Sequence, residues 1–519
     1  MGRVRAAIIA ALFTIAAGLP AHAQDVTLTS RDGNVEISGN LLGYDGEFYR
    51  VDTIYGELTV DGSGVLCDGP GCPNLEDFVA RVRLSGAPVI GRVLIPALLE
   101  AFAIRHEYEL SRERLDDGHY VYGLTSADGG SLLGEFTLKL STSDEGFADL
   151  LADEADIVMS MREVRKDEVA RAADMGIGDL TSRGRSMIVA LDALVPIVAP
   201  NNPMQAITTP QLAGVLAGDI TNWTSIGGPD APITVHVVTA GSGIGQATQD
   251  RLLTAQGAEL VDGAVQHRDG QALIEAVAAD PFGLGVTSRS ETGNTWPLAL
   301  KGTCGFTLRA TRRAVKTEDY PLTAPLFLYM PARRFPKLVR EFLTYLRDPS
   351  AQLVVRRAGF VDQAPEEIEI NAQGDRFANA ITRAGAEVGL EELQRMVTLL
   401  SPLRRLTTTF RFEAGSARLD AQSRSNVAQL ARAFEIGLYD ARRVVFVGFS
   451  DGEGPAAGNK RIAAQRAEAV KAAVIAAAET ANLSRITIET EAFGEAMPMA
   501  CDDSEWGRQV NRRVEVWVR

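Results

Sequence analysis

Asp451 and Arg466, 15 residues apart in the stretch VVFVGFSDGEGPAAGNKRIAAQRAEAV, are the two side chains whose types and placement suit chemistry with a charged ligand. The apolar run Val444 to Gly448 predicts a strand, and the Gly-rich segment after it puts Asp451 on a loop. A helix predicted to open near Asn459 carries Arg466. One fixed carboxylate and one guanidinium within reach of each other suit a zwitterion, because the carboxylate holds an ammonium and the arginine fork holds a carboxylate in two hydrogen bonds. Taken alone, such a pair is more often an ordinary ion pair beside a capped helix, so the surrounding pattern has to decide. Other chemistries fit poorly. Gly448-Phe449-Ser450-Asp451-Gly452 satisfies the G-x-S-x-G of a hydrolase elbow, yet that triad ends in a histidine and the last one here, His267, precedes Ser450. His106, His119, His236 and His267 show no metal-ligand spacing with each other or with cysteine. Gly241 to Gln246 fails the dinucleotide fingerprint at its sixth position. No enzyme activity, cofactor or metal is expected.

The residues around the pair fall into a longer pattern. Gly448, Ser450, Asp451, Gly454, Asn459, Ile462, Ala463, Arg466, Ala467 and Val470 stand in register with G-x-T-D-x-x-G-x-x-x-x-N-x-x-L-S-x-x-R-A-x-x-V, the motif of the OmpA-like peptidoglycan-binding family, which this stretch resembles. Ser450, Ile462 and Ala463 replace its Thr, Leu and Ser. Further marks lie at Phe410-Arg411-Phe412, Gly415 to Leu419, Gly494-Glu495 with Pro498, and Asn511 to Glu515, so the resemblance covers residues 404–519. It implies a βαβαββ domain that binds the diaminopimelate centre of a peptidoglycan stem peptide. Asp451 would take the ammonium and Arg466 the carboxylate. Asn459 would steady the loop or touch the stem peptide, and Arg513 would flank the site.

Residues 75–363 alternate strands and helices, which predicts a parallel or mixed sheet covered by helices on both faces. Asp156 to Arg162, Pro200 to Pro203, Gly218 to Trp223, Gly227 to Pro229, Asp280 to Val286 and Tyr320 to Leu322 resemble marks of the periplasmic phosphate-binding proteins of ABC transporters (PstS-like). That likeness implies a two-lobed, hinge-linked fold holding an anion with loop hydroxyls, helix N-terminal N–H groups and an arginine. Several of those places are altered. The first loop reads Gly86-Ala87-Pro88-Val89, the serine pair is Ser160-Met161, and Gly241 to Gly245 ends in Ile244-Gly245 where the family has Thr and Arg. Ser160, Arg162, Ser242 and Gly243 remain as candidate anion ligands. A phosphate-like oxyanion, another small ligand and a ligand-free scaffold all stay open.

The rest of the chain positions these two parts. Arg3 and Arg5, an apolar run from Ala6 to Leu19, and Ala21-His22-Ala23 predict a signal peptide over residues 1–23, cleaved after Ala23, and hence an exported protein, which the OmpA-like resemblance implies is periplasmic and associated with the cell wall or outer membrane. Residues 24–74 alternate apolar and polar between Asp-Gly turns and predict a small β-barrel of five strands. Cys67 and Cys72 bracket a tight turn and are expected to pair, whereas Cys304 and Cys501 could form a bridge or stand as separate thiols. Residues 364–403 carry helical apolar spacing and predict a helical linker acting as a partly stiff spacer. A formal net charge of −15 without a basic block argues against nucleic acid. The expected chain is a multidomain α/β and α+β protein that tethers a binding-protein-like domain to peptidoglycan. Its alternatives are a component of anion uptake, or a structural envelope linker with a protein partner.

Overall fold

The computed structural model describes residues 25–519 except 76–77, 129, 240–241, 303, 414–415, 417 and 503–504, so the expected signal peptide lies outside the described residues. Strands Val26–Ser30, Glu36–Tyr44, Phe48–Thr53, Gly56–Asp61 and Val65–Asp68 form an antiparallel sheet in which the first strand lies between the second and the fifth. The long second strand pairs with the first through Glu36 to Gly39 and with the third from Asn40 onward. Gly39 sits at the change of partner, where a Cβ would fall 2.3 Å from the Asp52 carbonyl oxygen. Val26, Leu28, Tyr49 and Val51 form the small core, and the Cys67–Cys72 disulfide packs against it. The three-residue helical turn Gly62–Gly64 links the two edge strands, Gly56–Asp61 and Val65–Asp68, and so brings the ends of the sheet close together; among the described residues no strand ladder joins them.

The region expected to be two-lobed is organised by Ser186–Val198, a strand whose near-continuous apolar run suits burial on both faces. Its first half pairs with Thr323–Tyr329, which leads on to Ile157–Ser160 and then to Ala80–Gly86. Its second half pairs with Gly283–Ser288, and beyond that lie Thr234–Val238 and Val265–His267. One strand thus feeds two lobes. Helix Ser143–Leu151 belongs to the first, and helices Gly243–Thr248 and Gly270–Ala279 to the second.

The C-terminal sheet runs Glu367–Ile368, Arg404–Arg411, Arg513–Val518, Arg443–Phe449, Thr487–Gly494, with the last pair parallel. On one face, helices Ala421–Glu435 and Ala456–Ala477 bury Leu430, Phe434, Val470 and Val474 against Phe446 and Val516. The other face corrects the expectation of a spacer. Helices Gly374–Arg383 and Leu390–Leu400 lie on it and bury Ala380, Met396 and Leu400 against Val445, Val447 and Trp517. An amphipathic stripe needs an apolar partner, and here the uncovered sheet face supplies it. The junction with the preceding lobes is also tight. Cys304 and Cys501 are bridged, Arg405 Nη1 donates to Asp319 Oδ2 at 2.9 Å, and Arg411 Nη2 donates to the Glu318 carbonyl at 2.6 Å.

Candidate functional site

Strand Arg443–Phe449 delivers the loop that carries Asp451, and helix Ala456–Ala477 crosses directly behind it. At Gly448 a Cβ would lie 2.1 Å from the Ala463 carbonyl oxygen, so only glycine lets strand and helix approach this closely. Gly454 has φ +88°, which turns the loop into the helix. The small residues Ala463 and Ala467 are buried beneath, and Arg466 stands between them and the surface.

Arg466 and Arg512 line a cavity of about 360 Å³, together with Phe412, Ile462 and Gln465. The Arg466 guanidinium lies over the Phe412 ring, 5.1 Å from its centroid, and among the described residues makes no hydrogen bond or ion pair. Burial, and then the nearby Arg512 charge, push its pKa down, while Asp451 acts in the other direction. Asp451 is 8% exposed and accepts from Arg512 Nη1 at 2.8 Å through Oδ2. Arg512 also donates to Glu505 at 2.5 Å. Burial works against its charge, but these two carboxylates hold its pKa above the usual arginine value. The site therefore presents one half-buried guanidinium that makes no hydrogen bond or ion pair among the described residues, beside a carboxylate held from one side. An ammonium could take the other oxygen, and a carboxylate could take Arg466.

Asn459 is buried and steadies the loop, its Nδ2 donating to Glu495 Oε2 at 2.8 Å and to the Gly454 carbonyl at 3.4 Å. The expectation for Arg513 is corrected. Its side chain is 0% exposed, with Nε donating to Glu515 Oε1 at 2.7 Å and Nη2 to the Met497 carbonyl at 3.0 Å, and burial lowers its pKa to about 10. Neighbouring residues at a strand entrance face opposite ways, so the arginine beside the cavity is Arg512. Sequence reasoning also missed Asp502, which accepts from Gly452 N at 2.9 Å and from Asn511 Nδ2 at 2.8 Å and so braces the Asp451 loop. The Asn511-Arg512-Arg513 run was the only signal pointing there.

The anion candidates come near one another but are spent on internal bonds. Ser160 is fully buried, and its Oγ donates to the Arg162 carbonyl at 2.7 Å. Arg162 donates to Asp144 Oδ1 at 3.0 Å and to Glu168 Oε2 at 2.9 Å. Ser242 Oγ accepts from Gly245 N at 2.9 Å, capping the short helix that begins at Gly243.

The fold thus comprises a two-lobed region of binding-protein type and a C-terminal domain with an open, charged cavity beside Asp451. Residues 135–349 match the family model described as PBP superfamily domain, and residues 411–512 match that of the OmpA family. The chain thus carries a PBP-like domain and a C-terminal OmpA domain, both from families of binding domains. It is 27% identical over 237 residues to Protein SphX of Synechococcus elongatus, covering 43% of this chain and 68% of that one. It is 26% identical over 211 residues to the phosphate-binding protein PstS of Borreliella burgdorferi, covering 40% and 71%. Among solved structures, an ABC-type phosphate transport receptor from Vibrio cholerae superposes with a TM-score of 0.41 at 18% identity, over 54% of this chain and 99% of that one. Among the described residues no helix is long and apolar enough to cross a membrane.

Proposed function

We propose that the protein binds peptidoglycan through its C-terminal domain and thereby holds the PBP-like domain at the cell wall of a diaminopimelate-containing envelope. The observation that carries this is Arg466, a half-buried guanidinium that lines an open cavity and, among the described residues, makes no ion pair. An unpaired, partly desolvated cation is costly unless a ligand completes it. The diaminopimelate centre offers a carboxylate and an ammonium on one carbon. The carboxylate pairs with Arg466 in a bidentate fork, and the ammonium takes the Asp451 oxygen that Arg512 leaves open. Glu505 and Asp502 support this arrangement from behind by fixing Arg512 and the loop. The action read here is binding, at the wall on the periplasmic side, in keeping with the signal peptide expected over residues 1–23.

Co-sedimentation of the full chain with purified sacculi tests the proposal. Retention on diaminopimelate-type sacculi and none on lysine-type sacculi is expected, since lysine lacks the carboxylate; equal retention on both would contradict it. A second reading, delivery of a phosphate-like anion to an uptake system, draws on the names of the relatives, which are phosphate-binding in one case. The engagement of Arg162 by Asp144 and Glu168 weighs against it.

A further inference from the structure

Three segments expected to surround an anion, Gly86 to Val89, Ser160-Met161 and the described part of Gly241 to Gly245, meet between the lobes, and the structure shows what fills that place. The N–H groups of Ser143 and Asp144, at the start of helix Ser143–Leu151, both point at Gln246 Oε1, at 2.9 and 3.4 Å. Gln246 belongs to the other lobe, in helix Gly243–Thr248. A neutral amide oxygen thus takes the helix-end donors that an anion would otherwise use. Ala87 and Pro88 close the remaining space: a Cβ at Gly243 would lie 3.2 Å from Pro88 Cδ and 3.3 Å from Ala87 Cβ.

Charge completes the closure. Arg165 spans the lobes, with Nη1 on Asp144 Oδ2 at 3.0 Å and Nη2 on Asp250 Oδ2 at 3.1 Å. Arg251, from the second lobe, donates to the Met161 carbonyl of the first at 3.2 Å. Around the cleft mouth, the Arg162 and Arg165 guanidiniums are taken up by Asp144, Glu168 and Asp250, so neither is left free to hold an oxyanion.

We propose that Gln246 is the built-in occupant of this cleft, and that with Arg165 it keeps the lobes closed and excludes phosphate and similar oxyanions. The PBP-like domain then presents one fixed surface whatever the phosphate level. This inference goes beyond wall binding and stands independently of it.

The native cysteines are all in disulfides, so spin labels can be placed on the full chain at Glu154→Cys and Gln256→Cys, two exposed positions on opposite lobes. The inter-label distance is measured with and without millimolar inorganic phosphate, in the parent and in Gln246→Ala/Arg165→Ala. A narrow parent distribution that phosphate leaves unchanged, and a longer, broader one in the double variant, is the expected result. A parent distance that shortens with phosphate, or a folded double variant that keeps the parent distribution, would overturn the proposal. Should the double variant fail to fold, isothermal calorimetry of phosphate against the parent decides: no heat is expected, and saturable micromolar binding would overturn it.

Discussion

Replacing Arg466 with alanine separates a ligand-binding role from a structural one. The guanidinium contributes its stacking on Phe412, worth roughly 0.5–1 kcal/mol. Against this, its burial and the repulsion from Arg512 already disfavour its charge, and the substitution relieves both. No hydrogen bond or ion pair among the described residues is lost. The net change in stability should stay within about 1 kcal/mol, a shift in melting temperature of no more than about 4 °C. Binding should change far more, because loss of a desolvated, hydrogen-bonded charge contact costs about 2–5 kcal/mol. At the lower end that is about 30-fold in affinity. Arg466→Lys keeps the charge but not the fork, and an intermediate loss is expected. Sacculus co-sedimentation is paired with circular dichroism on both variants. Parent-like binding by Arg466→Ala would refute the reasoning, as would a loss of binding that appears only together with unfolding.

Other outcomes follow from the packing around this site. Glu318 Oε1 is buried without a hydrogen-bond partner at the junction with the C-terminal domain; burial, and then Asp420, raise its pKa from 4.5 to about 8, against the pull of Arg411. The folded state then holds a proton that the unfolded chain releases, so stability from this group is full below its unfolded pKa and is lost as pH rises toward about 8, by up to about 1.4 kcal/mol per pH unit. Urea denaturation across that range should show this slope in the parent and a flatter one in Glu318→Gln. A fragment of residues 364–519 should fold, whereas 404–519 alone should not, because it exposes the sheet face that Ala380, Met396 and Leu400 cover; each large buried side chain lost is worth about 2–5 kcal/mol. Equal thermal melts for the two fragments would contradict this. Replacing Cys304 and Cys501 together by alanine should lower stability by about 2–4 kcal/mol, since the bridge closes a 197-residue separation; an unchanged denaturation midpoint would show that the packed junction alone fixes the domains.

What could be read from the chain beforehand divides along physical lines. The five N-terminal strands were legible nearly to the residue, because Asp32-Gly33 and Asp45-Gly46 mark turns that only such pairs make cheaply, with φ of +73° and +91° at the two glycines. The strand–loop–helix around Asp451 was legible from glycines at forced positions, and the helix begins at Ala456, a few residues before the expected start. Arg512 and Arg513 could not be told apart, because a one-residue shift in register exchanges the faces of a strand. The helices within 364–403 showed their apolar stripe but not its partner, as periodicity says that a face is buried and not against what. Gln246 gave no signal at all: a neutral amide acquires its role only when another lobe brings two N–H groups to it. Cys304 and Cys501, far apart in the chain, had no local turn to announce the bridge that Cys67 and Cys72 had.

The central claim is recognition of a zwitterionic stem-peptide centre by Arg466 and Asp451, and calorimetry of the full chain tests it most directly. The titrants are a soluble peptidoglycan stem peptide containing meso-diaminopimelate and the same peptide with lysine in its place. The expected result is saturable binding of the first, absent in Arg466→Ala and in Asp451→Asn, with no heat from the lysine peptide. Equal binding of both peptides, or binding that survives both substitutions, would contradict the account.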